Sequence, residues 1–395
     1  MSPGARARSI ALGAALLAAL GCAPDDASPL SAVVVAWDPG NQAYELAQVK
    51  ITTLASVRTM QGQSGNVEAG GSVRLDAQAV EAAGATVSSL RAQAFVSTPG
   101  PVALQFTLAN GLVYPEDYDA LELLSFYSAL EKSRAELATW GLQSLVAAPI
   151  FDHVDLENES GLSPLAEGEL FLEPLNAFFL PSLAPQQLIP PQMNLGAVAH
   201  ALGVEAWQEV VWQGAPADPA YAVAASDPDA IAAIHVGQSL RLGVGDLFGA
   251  LLTEDPRWFD HSLPQTSGAR DLDQLRCGSS AMLQALGVPD SQVPYDPYPL
   301  GTVLAYSLWD TAQNSDPTEL ATGVVAALPG IAAAQSGNGG KLGLAAALDA
   351  LAAAASPDVQ GTLCGELLDR FNALSITALP TCNSVGVNAP STSCQ

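Results

Sequence analysis

The chain has 395 residues and sets 14 Lys and Arg against 40 Asp and Glu, a formal net charge of −26. Such a surface repels polyanions, which excludes nucleic acid as a partner and gives no electrostatic attraction to an anionic membrane. With 49% hydrophobic residues the chain has ample material for a core, and its length fits two domains.

Residues 1–22 read as a targeting segment. Arg6 and Arg8 form a basic start, and the apolar run from Ile10 to Leu20 is too short to span a bilayer. The run ends at Ala19-Leu20-Gly21-Cys22, which resembles the lipobox of bacterial lipoproteins, with Ala19 where Leu is usual. The resemblance implies cleavage before Cys22 and lipidation of its thiol. The mature chain is then exported and lipid-anchored in the bacterial cell envelope. The outer membrane is the expected address, because Ala23 does not oppose sorting there. The competing reading is an ordinary signal peptide that happens to contain a cysteine. Residues 23–30 form a tether marked by Pro24 and Pro29.

Residues 31–110 carry short β-branched runs separated by turn residues: Ala32–Trp37, Glu45–Ile51, Ser72–Asp76 and Val102–Leu108. These predict a β-rich N-terminal module. From residue 116 the spacing changes. Leu121, Leu124, Tyr127, Leu130 and Leu137 recur at helical intervals, which predicts one helix over 116–142. Asn176–Pro181 reads as a strand, and helices are predicted at 193–212, 228–253, 300–313, 317–328, 340–355 and 358–374. The fold class is therefore α+β, with strands first and helices after.

Besides Cys22 there are four cysteines, Cys277, Cys364, Cys382 and Cys394. An even number in an exported chain predicts two disulfides, with three possible pairings. The polar tail 381–395 needs such a bond to be held down. At least one of Cys382 and Cys394 is expected to reach back to Cys364 or Cys277. The spacing C-x-x-C of a zinc site does not occur.

The segment Asn194-Leu-Gly-Ala-Val-Ala-His200 carries the most information. It is similar to the lead-in of the zinc helix in thermolysin- and fungalysin-like zinc metallopeptidases, the gluzincins. Leu242-Gly-Val-Gly-Asp-Leu-Phe-Gly249 resembles their second helix, and Pro299 to Asp310 resembles the core helix that follows. The strand at Phe178–Leu180 fits the edge strand before the zinc helix. The resemblance covers 116–380 and implies a mainly α-helical, zincin-like metallopeptidase domain.

It also implies that the chemistry is gone. The working motif H-E-x-x-H places two zinc ligands on one helix face with a general base between them. Here His200 keeps the first ligand. Ala201 stands where the base would be and cannot accept a proton. Val204 replaces the second ligand and Leu242 the Glu ligand, so neither offers a lone pair. No zinc is expected. Asp246 matches the family's carboxylate that orients the first His, so His200 and Asp246 are expected to be hydrogen-bonded. Tyr298 occupies the region where the family keeps a late His.

His235 and His261 read as a helix residue and a loop-ordering residue, and His153 sits in an acidic loop that lacks a calcium-loop pattern. No nucleophile elbow, P-loop or dinucleotide fingerprint is present. The preferred reading is a catalytically inactive, metallopeptidase-like envelope lipoprotein with a binding or structural role. Its partner would be a peptide or envelope protein, and its membrane contact the lipid alone. Two alternatives stand beside it. One is a metallopeptidase with a rearranged metal site built from His200, His235 or His261. The other is an unrelated helical envelope lipoprotein.

Overall fold

The structure, a computed structural model, describes residues 30–80, 85–143, 145–156, 169–180, 189–224, 227, 229–263, 269–290, 292–387 and 394. Residues 1–29, which include the expected targeting segment with Cys22 and most of the expected tether, lie outside the described residues. The fold is mixed, 52% helical, with a strand-rich N-terminal region and a helical C-terminal part.

The strand Leu30–Asp38 is an apolar run that buries Ala32 and Val34 on one face and Trp37 on the other. It pairs antiparallel with Ala43–Ile51 and parallel with Leu112–Pro115, which in turn pairs with Phe106–Ala109. A second sheet runs in the order Phe171–Leu172, Ala177–Leu180, Ile150–Asp152, Gly65–Ala69, Gln61–Gly62 and Leu54–Ser56. Its central strand Ile150–Asp152 is parallel to both neighbours.

The second sheet and the main core cluster both draw on residues before and after position 116. Along that order, three strands from the segment 31–110 and three from the segment 116–380 lie in one sheet, and one apolar core runs from Ala32 to Cys382. The change of pattern near residue 116 marks a change of secondary structure within one core. The physical reason is the sheet edge: Gly65–Ala69 alone would leave a row of backbone amides without partners, which Ile150–Asp152 supplies.

The long helices are α1 (Tyr118–Thr139), α2 (Leu195–Val210), α3 (Asp229–Thr253), α4 (Tyr298–Gln313), α5 (Pro317–Gly337), α6 (Leu344–Ala354) and α7 (Pro357–Arg370). Every residue of α2 from Leu195 to Gln208 is buried. A helix buried on every face belongs at the centre of a fold, and the polar side chains it carries there, His200, Glu205 and Gln208, are each hydrogen-bonded. Helix α2 packs on α1 at one side and α3 at the other.

Several ends differ from expectation. Helix α5 runs through Pro329, which lies on its exposed side, and so extends well past residue 328. Helix α6 starts late because Gly339 and Gly340 hold positive φ angles of 65° and 87°. The run Val102–Leu108 becomes a strand only from Phe106, although Val102 and Leu104 are buried. Short helices at Val87–Ala94 and Ser280–Leu286 carried no clear apolar period, and their signals are the capping residues Thr86 and Ser279.

Both disulfides form, Cys277 with Cys394 and Cys364 with Cys382, at Cα separations of 5.7 and 5.3 Å. Both tail cysteines therefore reach back into the helical body.

Candidate functional site

The site is built on the crossing of α2 and α3. Asn194 caps α2: its side-chain oxygen accepts from the amides of Gly196 and Ala197 at 2.9 and 3.3 Å. Its amide group donates to the Trp258 carbonyl at 3.0 Å and the Ser262 hydroxyl at 2.9 Å. The entry of the helix is thus tied to the loop that carries Trp258. The two helices meet at Gly203 and Gly245. A Cβ on Gly203 would stand 2.8 Å from the Gly245 Cα, and one on Gly245 would stand 2.6 Å from His200 Nδ1. Only glycine allows this approach, and it is this approach that sets His200 beside Asp246.

His200 Nδ1 lies 2.9 Å from Asp246 Oδ1, the pairing expected from the sequence. Its other nitrogen, Nε2, lies 2.9 and 3.1 Å from the two carboxylate oxygens of Glu169. Arg270 completes the group. Its Nη2 donates to Asp246 Oδ1, and its Nε donates to Asp246 Oδ2 at 3.3 Å. Nη1 stands 4.0 Å from Glu169. The Tyr298 hydroxyl donates to Glu169 Oε1 at 2.9 Å. The guanidinium is enclosed by aromatic faces, with its carbon 3.8 Å from the Phe259 ring centre and 4.8 Å from that of Tyr298.

Glu169, His200, Asp246 and Arg270 are all buried, at no more than 5% exposure. Two carboxylates face two cations, so the group is close to neutral. Burial opposes the charge on Glu169, yet His200, Arg270 and Arg241 together hold its pKa down to about 2. Asp246 is lowered in the same way, its burial outweighed by Arg270 and His200. Burial disfavours a charged His200, but Glu169 and Asp246 prevail over it and raise the pKa. Both ring nitrogens of His200 thus face carboxylate oxygens, an arrangement that favours the protonated ring. Arg270 Nη2 approaches His200 Nδ1 to 3.2 Å, a like-charge contact offset by the Asp246 carboxylate they share.

The positions that the resemblance pairs with a zinc site lie in the core. Ala201 and Val204 are 0% exposed and Leu242 is 2% exposed. They do not fit zinc: none has a donor atom, and a catalytic site of this type needs three protein ligands. Among the described residues no group of three or more His, Cys, Asp and Glu side chains is arranged to hold a metal ion.

The remaining histidines do not converge on His200. His235 stacks on Tyr295 at 3.9 Å between ring centres and bonds to the Leu286 carbonyl and Asp290, each at 3.0 Å. His261 pairs with Asp255 at 2.9 Å and packs against Trp37 and Tyr44. His153 bonds to Asp152 at 2.7 Å, in a turn with φ of 51°.

Glu169 and Arg270 escaped the sequence reading. They lie far from α2 and α3 along the chain and belong to no periodic pattern. Their one trace is compositional: a chain with 14 cations holds each buried one for a reason.

No family model matches this chain, and no curated protein matches it.

Proposed function

We propose that this protein is a catalytically inactive, metallopeptidase-like lipoprotein of the bacterial cell envelope, anchored through Cys22, whose remaining role is binding or structural. One observation carries the reading. At the position of the first zinc ligand, His200 gives both ring nitrogens to the carboxylates of Glu169 and Asp246. An imidazole so engaged has no lone pair for a metal. The apolar residues at 201, 204 and 242 support the same conclusion, because they add packing where a working site needs a base and two ligands.

The order of segments also supports it. A capped helix with His200 follows the strand Ala177–Leu180 and packs along a second helix whose Asp246 faces the histidine. In this reading the former reaction centre has become a buried ion cluster that joins α2, α3, Glu169 and the Arg270 loop. The two disulfides accord with an oxidising, exported setting. The partner is a peptide or another envelope protein.

The test is the metal content of the purified mature protein after exposure to zinc, with casein hydrolysis assayed on the same sample. The expected result is no stoichiometric zinc and no cleavage. About one zinc per chain, with cleavage lost on chelation, would overturn the reading.

A further inference from the structure

A cleft of about 560 Å³ opens between α1 and the end of the strand Ala43–Ile51, well separated in character from the closed His200 cluster. Lys50, Lys132 and Arg134 line it. The chain has only three lysines, and two of them are here. Among the described residues neither of these ammonium groups pairs with a carboxylate. The carboxylate in the cleft, Glu131, is already occupied. It accepts hydrogen bonds from both backbone amides and both hydroxyls of Thr52 and Thr53, at 2.6 to 3.0 Å.

Arg134 is fixed at the floor. Its Nη2 bonds to both oxygens of the buried Glu205 on α2 at 3.1 Å, and its Nη1 points to the Leu145 carbonyl at 3.4 Å. Its Nε is buried with no hydrogen-bond partner among the described residues. Val49, Ala138 and Leu145 add an apolar wall. On a body of charge −26 this is a local positive site, and a cleft walled by low-dielectric side chains concentrates its field. The strand Ala43–Ile51 forms the edge of its sheet, so its outer backbone groups face away from any paired strand among the described residues.

We propose that this cleft binds the C-terminal carboxylate of an extended peptide, with the last apolar side chain against Val49 and Leu145. The ammonium groups of Lys50 and Lys132 receive the carboxylate through charge-assisted hydrogen bonds. The open strand edge receives the peptide backbone. The proposal rests on the cleft alone and stands or falls apart from the reading of His200.

The experiment is an NMR titration of the ¹⁵N-labelled mature protein at low salt. Three probes are used: acetyl-Ala-Val-Leu as the free acid, the same peptide as its C-terminal amide, and inorganic phosphate. The expected result is saturable shifts at the amides of Lys50, Thr52, Thr53 and Lys132 with the acid, and binding of the amide weaker by about tenfold or more. The Lys50→Ala, Lys132→Ala double variant, altered only at exposed positions, should keep its fold and lose the preference for the acid. Equal binding of acid and amide would overturn the proposal. So would the absence of saturable shifts with either peptide up to ~1 mM, or a double variant that keeps the preference. Phosphate binding as tightly as the peptide acid would replace the proposal with a site for a bare anion.

Discussion

The His200 cluster and the Lys50 cleft use the same scarce resource, positive charge on an acidic chain, in opposite ways. In the cluster two cations meet two carboxylates, every polar end faces another, and aromatic rings close the group off. In the cleft Lys50 and Lys132 have no carboxylate partner among the described residues, and Arg134 at the floor is held by Glu205. The wall carboxylate Glu131 is saturated by Thr52 and Thr53, and the space between them stays open. The difference teaches where interaction free energy is already used internally and where it remains for a partner. A cation matched inside the fold stabilises the fold; one held at a surface without a match is free to recognise something else.

The comparison breaks most visibly at Arg270. Arg270→Met leaves two buried carboxylates with one cation, so stability should fall by about 3–5 kcal/mol, measured by urea unfolding. A loss within error would mean the cluster is not a matched ion group. Next is the Cys277–Cys394 bond, which closes a separation of 117 residues. Cys277→Ser should cost about 2–4 kcal/mol, read from the thermal midpoint under oxidising conditions. Gly245→Ala pushes a methyl toward His200 Nδ1 and should cost about 1–3 kcal/mol. The same variant should shift the His200 ring resonances, whereas an equal substitution at the open position Gly361 should leave them unmoved.

The pH dependence separates a carboxylate held down by several cations from carboxylates whose burial prevails over their partners. Burial, only partly offset by Arg134, raises Glu205 from 4.5 to about 7. Burial likewise raises Asp218 from 3.8 to about 7 and Glu122 from 4.5 to about 7. For raised groups the native state holds the proton more tightly. Their contribution is complete below the unfolded value and is lost as pH climbs through about 7. Glu169, lowered to about 2, works the other way: its contribution is present above 4.5 and is lost as pH falls toward 2. Stability should therefore peak in mildly acidic solution and decline toward pH 7, as a series of denaturation curves would reveal. A monotonic rise up to neutrality would contradict this balance. The smallest effect is expected at the cleft. Lys132→Ala should change stability by no more than ~0.5 kcal/mol, because the side chain is exposed and unmatched. A larger loss would make Lys132 part of the scaffold.

Much of the helical part was legible because its signals are local. The span of α1 follows from leucines at helical spacing and ends within a few residues of expectation. The capping Asn194 and the largely apolar run behind it announce α2. The His200–Asp246 contact was legible through a resemblance that assigned both positions before any packing was known, and the glycines at the helix crossing make that contact possible. The β-branched runs behind Leu30–Asp38 and Ala43–Ile51 were equally plain. The two- and three-residue strands were not, since so short a run has no period to read.

The sequence by itself determined the acidic balance, the main helices and long strands, the need for two disulfides, and the absence of side-chain donor atoms at 201, 204 and 242. Each of these depends on residue identity or on spacing along one element. Tertiary structure alone decided that the strand region and the helical region share one core. It also decided that Cys277 takes Cys394, that Glu169 and Arg270 close on His200, and that Lys50 and Lys132 meet across a cleft. These join residues separated by tens to more than a hundred positions, and no local pattern encodes which distant side chains a folded chain brings within a hydrogen bond of one another.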